Sequence, residues 1–147
     1  MRASYLLVVH LSRSVRVEIA SRIWCLEWGY YVYVGSAHIS RPYLRISRHL
    51  TPYKRARWHI DYLTLSDFAK PLIGVVLYGV SEDSLYQAIS RQRRIQPAIP
   101  KFGASDRKDH VTHLFKVEST NLSDITREFL QLARSLNPYS IELVSSE

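Results

Sequence analysis

The sequence has few of the features that hold small secreted or membrane proteins together. Cys25 is its only cysteine, which excludes a disulfide framework and a zinc cluster of several thiolates and fits a reducing compartment. We expect Cys25 to be packed in a strand. The longest apolar run near the start, residues 4–11, is too short to span a bilayer and lacks signal-peptide architecture. These absences predict a cytoplasmic protein with no membrane contact.

The 147 residues are enough to bury a core without covalent or metal reinforcement, so we expect one domain over residues 1–147. Acidic residues are scarce: 13 Asp and Glu stand against 20 Lys and Arg, giving a net charge of +7. The excess is mostly arginine, which suits paired contacts with phosphate oxygens. The balance favours an anionic partner such as nucleic acid, and a basic protein without such a partner is the alternative.

Short apolar and alternating segments interrupted by glycine and proline predict a small sheet flanked by helices. Because the first strands follow one another without helical crossovers, the sheet should be mixed or mainly antiparallel, in a compact α/β or α+β domain. Trp58 and Tyr62 are expected to anchor its core. The pattern predicts strands over 5–11, 15–19, 23–28, 30–34, 72–78, 113–117 and 141–144. It predicts helices over 42–50, 58–65, 82–94 and 123–136. Pro71 should open the strand over 72–78, and Ser123 should be the N-cap of the last helix.

A tyrosine-rich strand followed by a basic helix is the first candidate site. Tyr33 stands near the end of the strand, just before Gly35 and Ser36, where small residues allow either a ligand or a simple turn. On the helix, Arg45, Arg48 and His49 share one face with Arg41 one turn earlier. Such a face is either a solvated basic surface or a cation set for a phosphate ester. The basic loop that follows adds Lys54, Arg55 and Arg57.

Two further groups offer polar side chains. His59 and Asp61 are two residues apart on a predicted helix, so they point in different directions and should not contact each other. His59 is either a structural histidine or one that lines the site. Ser105, Asp106 and His113 either meet at a sheet edge or hydrogen-bond within a loop. The six histidines have no zinc-binding spacing.

These segments together resemble the GIY-YIG nuclease superfamily, most closely its small Uri-type branch often found in archaea. The resemblance covers about residues 3–118 in the family's order. It is carried by Gly29-Tyr30-Tyr31-Val32-Tyr33-Val34-Gly35-Ser36-Ala37, Arg45-Ile46-Ser47-Arg48-His49, Trp58-His59-Ile60-Asp61-Tyr62-Leu63, Phe102-Gly103-Ala104-Ser105-Asp106 and His113-Leu114-Phe115.

The resemblance implies a central antiparallel sheet and hydrolysis of DNA phosphodiesters with one divalent metal, Mg²⁺ or Mn²⁺. It implies that Tyr5 and Tyr33 orient or deprotonate the attacking water and that Arg45 stabilises the phosphoryl transition state. His49 would support the site, and Arg48 would bind the DNA backbone. Gly35, Ser36, His59, Asp61, Ser105, Asp106 and His113 would be supporting residues.

The sequence departs from the related nucleases in three places. The first half-motif, Ala3-Ser4-Tyr5, lacks a glycine. Two cysteines common in the branch are absent, where Arg107 and Asp109 or His110 stand. The metal-binding glutamate falls on Ser84, a poor sole ligand for a hard dication. Glu82 or Asp83 would substitute if the helix register shifts.

The sequence therefore supports, as the first hypothesis, a metal-dependent endonuclease acting on DNA, with damaged or branched DNA as a candidate substrate. The alternative is a DNA-binding module that has lost the metal ligand, and a basic face that binds an acidic protein is a third reading. Residues 119–147 lie outside the resemblance, as a helix and strand that either cover a sheet edge or form a homodimer contact.

Overall fold

A buried strand, β1 (Ala3–Leu11), forms the middle of the fold. The computed structural model describes residues 2–19, 21–37, 43–50, 59–105, 107–119 and 121–145. The other strands are β2 (Val15–Ile19), β3 (Arg22–Leu26), β4 (Gly29–Ser36), β5 (Ala69–Tyr78), β6 (Ile95–Pro97), β7 (Leu114–Val117) and β8 (Ser140–Ser145). The helices are α1 (Tyr43–Leu50), α2 (His59–Thr64), α3 (Glu82–Ser90) and α4 (Leu122–Ser135).

Six strands form one sheet in the order β6-β7-β4-β1-β5-β8, and every neighbouring pair is antiparallel. Strands β2 and β3 form a separate hairpin. The α+β class and the mainly antiparallel sheet flanked by helices are thus confirmed.

Side chains alternate between the two faces of β1, as the pleat requires. Tyr5 and Leu7 belong to one hydrophobic core with Ile46 of α1 and Ile60 of α2. Leu6 and Val8 point the other way, into a second core that contains buried residues of α3 and α4. The sheet therefore has helices on both faces, and Tyr5 and Tyr33 face α1 and α2.

Several predicted boundaries are wrong for identifiable reasons. Helix α3 ends at Ser90, so residues 91–94 are not helical, and the short strand β6 was not predicted. The N-cap of α4 is Asn121, whose side chain accepts a hydrogen bond from the Asp124 amide. Pro71 lies inside β5, beside the register shift in its pairing with β1, which is where a strand tolerates proline.

Two predicted core residues are not buried. Cys25 is exposed, because β3 belongs to the separate hairpin and has an open face. Tyr62 is 54% exposed on α2, while its neighbours Ile60 and Leu63 fill the core. Trp58 lies outside the described residues.

The C-terminal segment completes the main sheet. Helix α4 buries Ile125, Phe129 and Ala133 in the second core. Strand β8 pairs with β5 from Tyr78↔Ser140 to Ile73↔Ser145. Of the two roles considered for this segment, cover for a sheet edge is therefore observed. No described helix combines the length and apolar character needed to cross a bilayer.

Candidate functional site

Tyr5 and Tyr33 lie side by side on neighbouring strands. The antiparallel register places Tyr5 opposite Gly35 and Tyr33 opposite Leu7, so the two rings are diagonal neighbours on one face, with centroids 6.2 Å apart. A Cβ at Gly35 would overlap the ring of Tyr5. Gly35 therefore makes the space that Tyr5 occupies.

His49 of α1 contacts the hydroxyl of Tyr5. Its Nε2 lies 2.7 Å from Tyr5 Oη, and both residues are buried. Burial raises the pKa of Tyr5 well above 10.0, Tyr33 raises it further, and the positive charge of Arg45 opposes both effects. Tyr5 thus keeps its proton at neutral pH, and its O–H can donate to His49 in the tautomer that leaves Nε2 without a proton.

Asp61 joins α2 to α1 through Arg48. The guanidinium donates two parallel hydrogen bonds to the fully buried carboxylate, at 3.0 and 2.9 Å. The same carboxylate lies 4.0 Å from His49 Nδ1. Arg48 therefore has a structural contact within the site, and its proposed contact with DNA stays a prediction.

Arg45 of α1 contacts the end of β4, where its Nη1 donates to the carbonyl oxygen of Ser36 at 3.2 Å. We call Tyr5, Arg45, Arg48, His49 and Asp61 the arginine half of the site. The predicted DNA-contacting residues Arg41, Lys54, Arg55 and Arg57, and the predicted supporting residue Asp106, lie outside the described residues.

A second cluster lies where the loop before β7 meets the start of α3. His110 is stacked on Tyr86 with ring centroids 3.8 Å apart. Its Nδ1 lies 2.8 Å from His113 Nε2, and its Nε2 lies 2.7 Å from Asp83 Oδ1. Both histidines are buried, and the hydrogen bond with His110 lowers the pKa of Asp83.

Glu82, the first residue of α3, contributes a carboxylate to this cluster. One potential ligand atom from each of Glu82, His110 and His113 lies within 4.8 Å of the other two. Arg107 Nη2 lies 3.5 Å from Glu82 Oε1. We call Glu82, Asp83, His110 and His113 the imidazole half of the site.

Ser84, the position expected for a metal-binding glutamate, has a different role. Its amide donates to Ser81 Oγ at 3.1 Å, and the two hydroxyls are 2.9 Å apart, so Ser84 belongs to the exposed N-cap of α3. Of the three positions considered on this helix, Glu82 is the one grouped with both buried histidines.

Tyr33 lies between the two halves. Its ring centroid is 6.3 Å from that of His49 and 6.5 Å from that of His113. Gly103 packs against it: a Cβ there would lie 2.8 Å from Tyr33 Oη, and the backbone φ of +68° also favours glycine. The Gly103 amide donates to His59 Nδ1 at 2.8 Å, so His59 fastens this loop to α2.

The remaining predicted residues are less central, and one residue was missed. Ser105 is exposed on the loop, and His59 and Asp61 contact different partners, as their spacing predicted. His110 was not predicted as a site residue. The available signal was its position, since it is one of the places where the nucleases that the sequence resembles carry a cysteine.

No curated protein and no solved structure matches this chain. One family model matches residues 4–136, which run from β1 through α4 and include both halves of the site. The chain therefore belongs to the family described as domain of unknown function DUF123.

Proposed function

We propose that this protein is a DNA endonuclease that hydrolyses phosphodiester bonds with the help of a divalent metal. The observation that carries the proposal is the pair of tyrosines between a cation and a carboxylate. The rings of Tyr5 and Tyr33 have centroids 6.2 Å apart, and Arg45 donates to the Ser36 carbonyl at the end of β4. The Tyr33 ring lies 6.5 Å from that of His113, which is grouped with Glu82. Phosphoryl transfer needs this combination of positive charge and a positioned hydroxyl.

The residues present fit a divalent cation. Glu82 would hold it together with His110 and His113, whose ligand atoms lie within 4.8 Å of one another. A cation bound there would stabilise charge on the phosphate and lower the pKa of a water molecule. Glu82, two residues before Ser84, would supply the carboxylate that is missing at the position expected for the metal ligand.

The arginine half would accept the proton of the attacking water and stabilise the charge on the phosphate. Tyr5 would accept a proton from the attacking water while donating its own to His49 Nε2, 2.7 Å away. The resulting imidazolium would be stabilised by Asp61, whose carboxylate lies 4.0 Å from Nδ1. Arg45 would stabilise the charge that develops on the nonbridging oxygens.

The test is nicking of supercoiled plasmid DNA with Mg²⁺ or Mn²⁺. Arg45→Ala and Tyr33→Phe should each lower the rate about 100-fold or more, the usual cost of one transition-state donor. The matched controls are Arg127→Ala on α4 and Tyr31→Phe, since Tyr31 lies on the same strand and donates to the Glu27 carbonyl outside the site. Equal losses in the site and control variants would contradict the proposal.

The second candidate function is DNA binding without cleavage. The observation that favours it is that Ser84, at the expected position, is a serine in contact with the N-cap residue Ser81 and supplies no carboxylate. It predicts affinity that falls steeply with salt and no turnover with either metal. Under this alternative Ser84→Glu should create cleavage, whereas under the endonuclease proposal Glu82→Gln should abolish it. No DNA affinity at low salt would exclude both functions.

A further inference from the structure

We infer that Glu82, His110 and His113 form a site for a transition-metal dication of the zinc class, in preference to Mg²⁺. The inference names the class of metal for the proposed nuclease and, as a statement about catalysis, rests on that function. Binding of the metal is a property of the folded chain and can be measured without DNA.

The three donors are brought together by separate elements before any ion binds. Glu82 begins α3, and the two histidines lie in the loop that leads into β7. Both imidazoles are buried, and the Glu82 side chain is only 14% exposed. Because the surrounding core fixes these side chains, little conformational entropy is lost on binding.

The separation of the two imidazole nitrogens is close to that of metal ligands. His110 Nδ1 and His113 Nε2 are 2.8 Å apart. Nitrogen ligands at about 2.0 to 2.1 Å from a tetrahedral zinc ion are roughly 3.3 Å from each other. An opening of roughly half an ångström would therefore let the cation replace the proton shared by the two rings.

Asp83 provides the outer contact that metal-binding histidines usually have. Its carboxylate lies 2.7 Å from His110 Nε2, so it accepts the proton on that nitrogen and leaves Nδ1 available to a metal. The ring of Tyr86, stacked on His110 at 3.8 Å, holds the imidazole plane. Asp83 is thus a positioning residue and not a ligand.

A second grouping, of Asp83, Asp109 and His110, is the weaker candidate. It would use His110 Nε2, which already makes the short contact with Asp83. Asp109 is 71% exposed, and its carboxylate lies 4.0 Å from that nitrogen. The inner grouping has two buried imidazoles where the outer one has a single imidazole, so we assign the metal to the inner grouping.

The donor set determines the class of metal. Two imidazoles and one carboxylate suit Zn²⁺ and similar transition-metal ions, whereas Mg²⁺ prefers an octahedron of oxygen ligands. Three protein ligands also leave a fourth tetrahedral position for water or a phosphate oxygen, the arrangement of catalytic zinc sites. The ring of Tyr33 lies 6.5 Å from that of His113 between centroids, so the three donors are next to Tyr33.

The experiment is titration of the full, untagged chain with Co²⁺, followed by the visible absorption of the tetrahedral ion. We expect one Co²⁺ per chain, displaced by equimolar Zn²⁺ and not by millimolar Mg²⁺. Glu82→Gln and His113→Gln should abolish the absorption. Asp83→Asn, a half-exposed position, should weaken binding about tenfold while the fold is kept, because outer-contact changes cost about 10- to 100-fold.

The controls are His10→Gln and Asp109→Asn, which should bind as the unaltered chain does, with circular dichroism verifying the fold of every variant. Failure of the unaltered chain to take up Co²⁺ or Zn²⁺ would overturn the inference, as would loss of binding in Asp109→Asn. Metal uptake without DNA cleavage would support this site and count against the nuclease. Cleavage with Mg²⁺ and no Co²⁺ uptake would support the nuclease and overturn this metal site.

Discussion

The two halves of the site differ in how firmly their charges are held. In the arginine half, the carboxylate of Asp61 is fully buried and accepts two short hydrogen bonds from Arg48. In the imidazole half, Glu82 Oε1 lies 3.5 Å from Nη2 of Arg107, whose side chain is 42% exposed. The side chain of Asp83 is 47% exposed. Burial makes the first set of contacts costly to break, while solvent weakens the second.

This difference indicates that the two halves have different roles. The arginine half fastens α1 to α2 and to the sheet, so it fixes the shape of the site and contributes to stability. In the imidazole half the carboxylate contacts are more exposed, and the buried contact between His110 and His113 is the one that a bound cation would replace. Substitutions in the two halves should therefore lower the free energy of unfolding by different amounts.

The largest effect on stability is expected from Asp61→Asn. The substitution keeps the shape of the side chain but leaves the Arg48 guanidinium without a buried counter-charge. Removing one partner of such a pair costs about 3 kcal/mol. Urea unfolding followed by circular dichroism measures this loss.

The matched control is Asp124→Asn on α4, where the carboxylate contacts Arg127 at the surface. An exposed pair contributes about 0.5 kcal/mol or less, so this variant should unfold almost as the unaltered chain does. Similar losses in the two variants would show that the arginine half is no firmer than an ordinary surface contact.

The next largest effect is expected from Gly35→Ala. The new methyl group would overlap the Tyr5 ring, which is buried and held by His49. Overpacking of this kind costs about 2 kcal/mol, and moving Tyr5 should also disturb the near-ultraviolet circular dichroism of the tyrosines. Ser36→Ala is the control, because the Ser36 backbone carbonyl, and not its side chain, accepts from Arg45. A stable Gly35→Ala protein with an unchanged spectrum would contradict this account of the glycine.

The sequence predicted the sheet and the elements of the arginine half because their signals are local. The β-branched and aromatic runs of β1 and β4 predict strands, and the antiparallel pairing of two tyrosine-bearing strands brings Tyr5 and Tyr33 together. The helix period put His49 and Arg45 on one side of α1. That Arg48 pairs with Asp61 was not predicted, since the contact depends on where α2 packs against α1.

Most of the imidazole half could not be predicted in the same way. His110 and His113 lie in a loop, where a spacing of three residues has no fixed geometry. Asp83 is 27 residues from His110 in sequence, and the contact between them depends on the path of the chain from α3 through β6. Glu82 was considered only as a substitute for Ser84. Its orientation follows from the N-cap at Ser81, which fixes the first turn of α3.

The smallest effect is expected from Asp83→Asn in the metal-free protein. His110 would lose a hydrogen bond to a charged acceptor, but water can reach the half-exposed side chain and compensate in part. The expected loss is therefore about 1 kcal/mol, below the cost of Asp61→Asn. Asp109→Asn, on the same loop and 71% exposed, should change the free energy of unfolding by less than the error of a urea titration. If Asp83→Asn instead destabilised the chain as much as Asp61→Asn does, the charges of the imidazole half would be held as firmly as those of the arginine half.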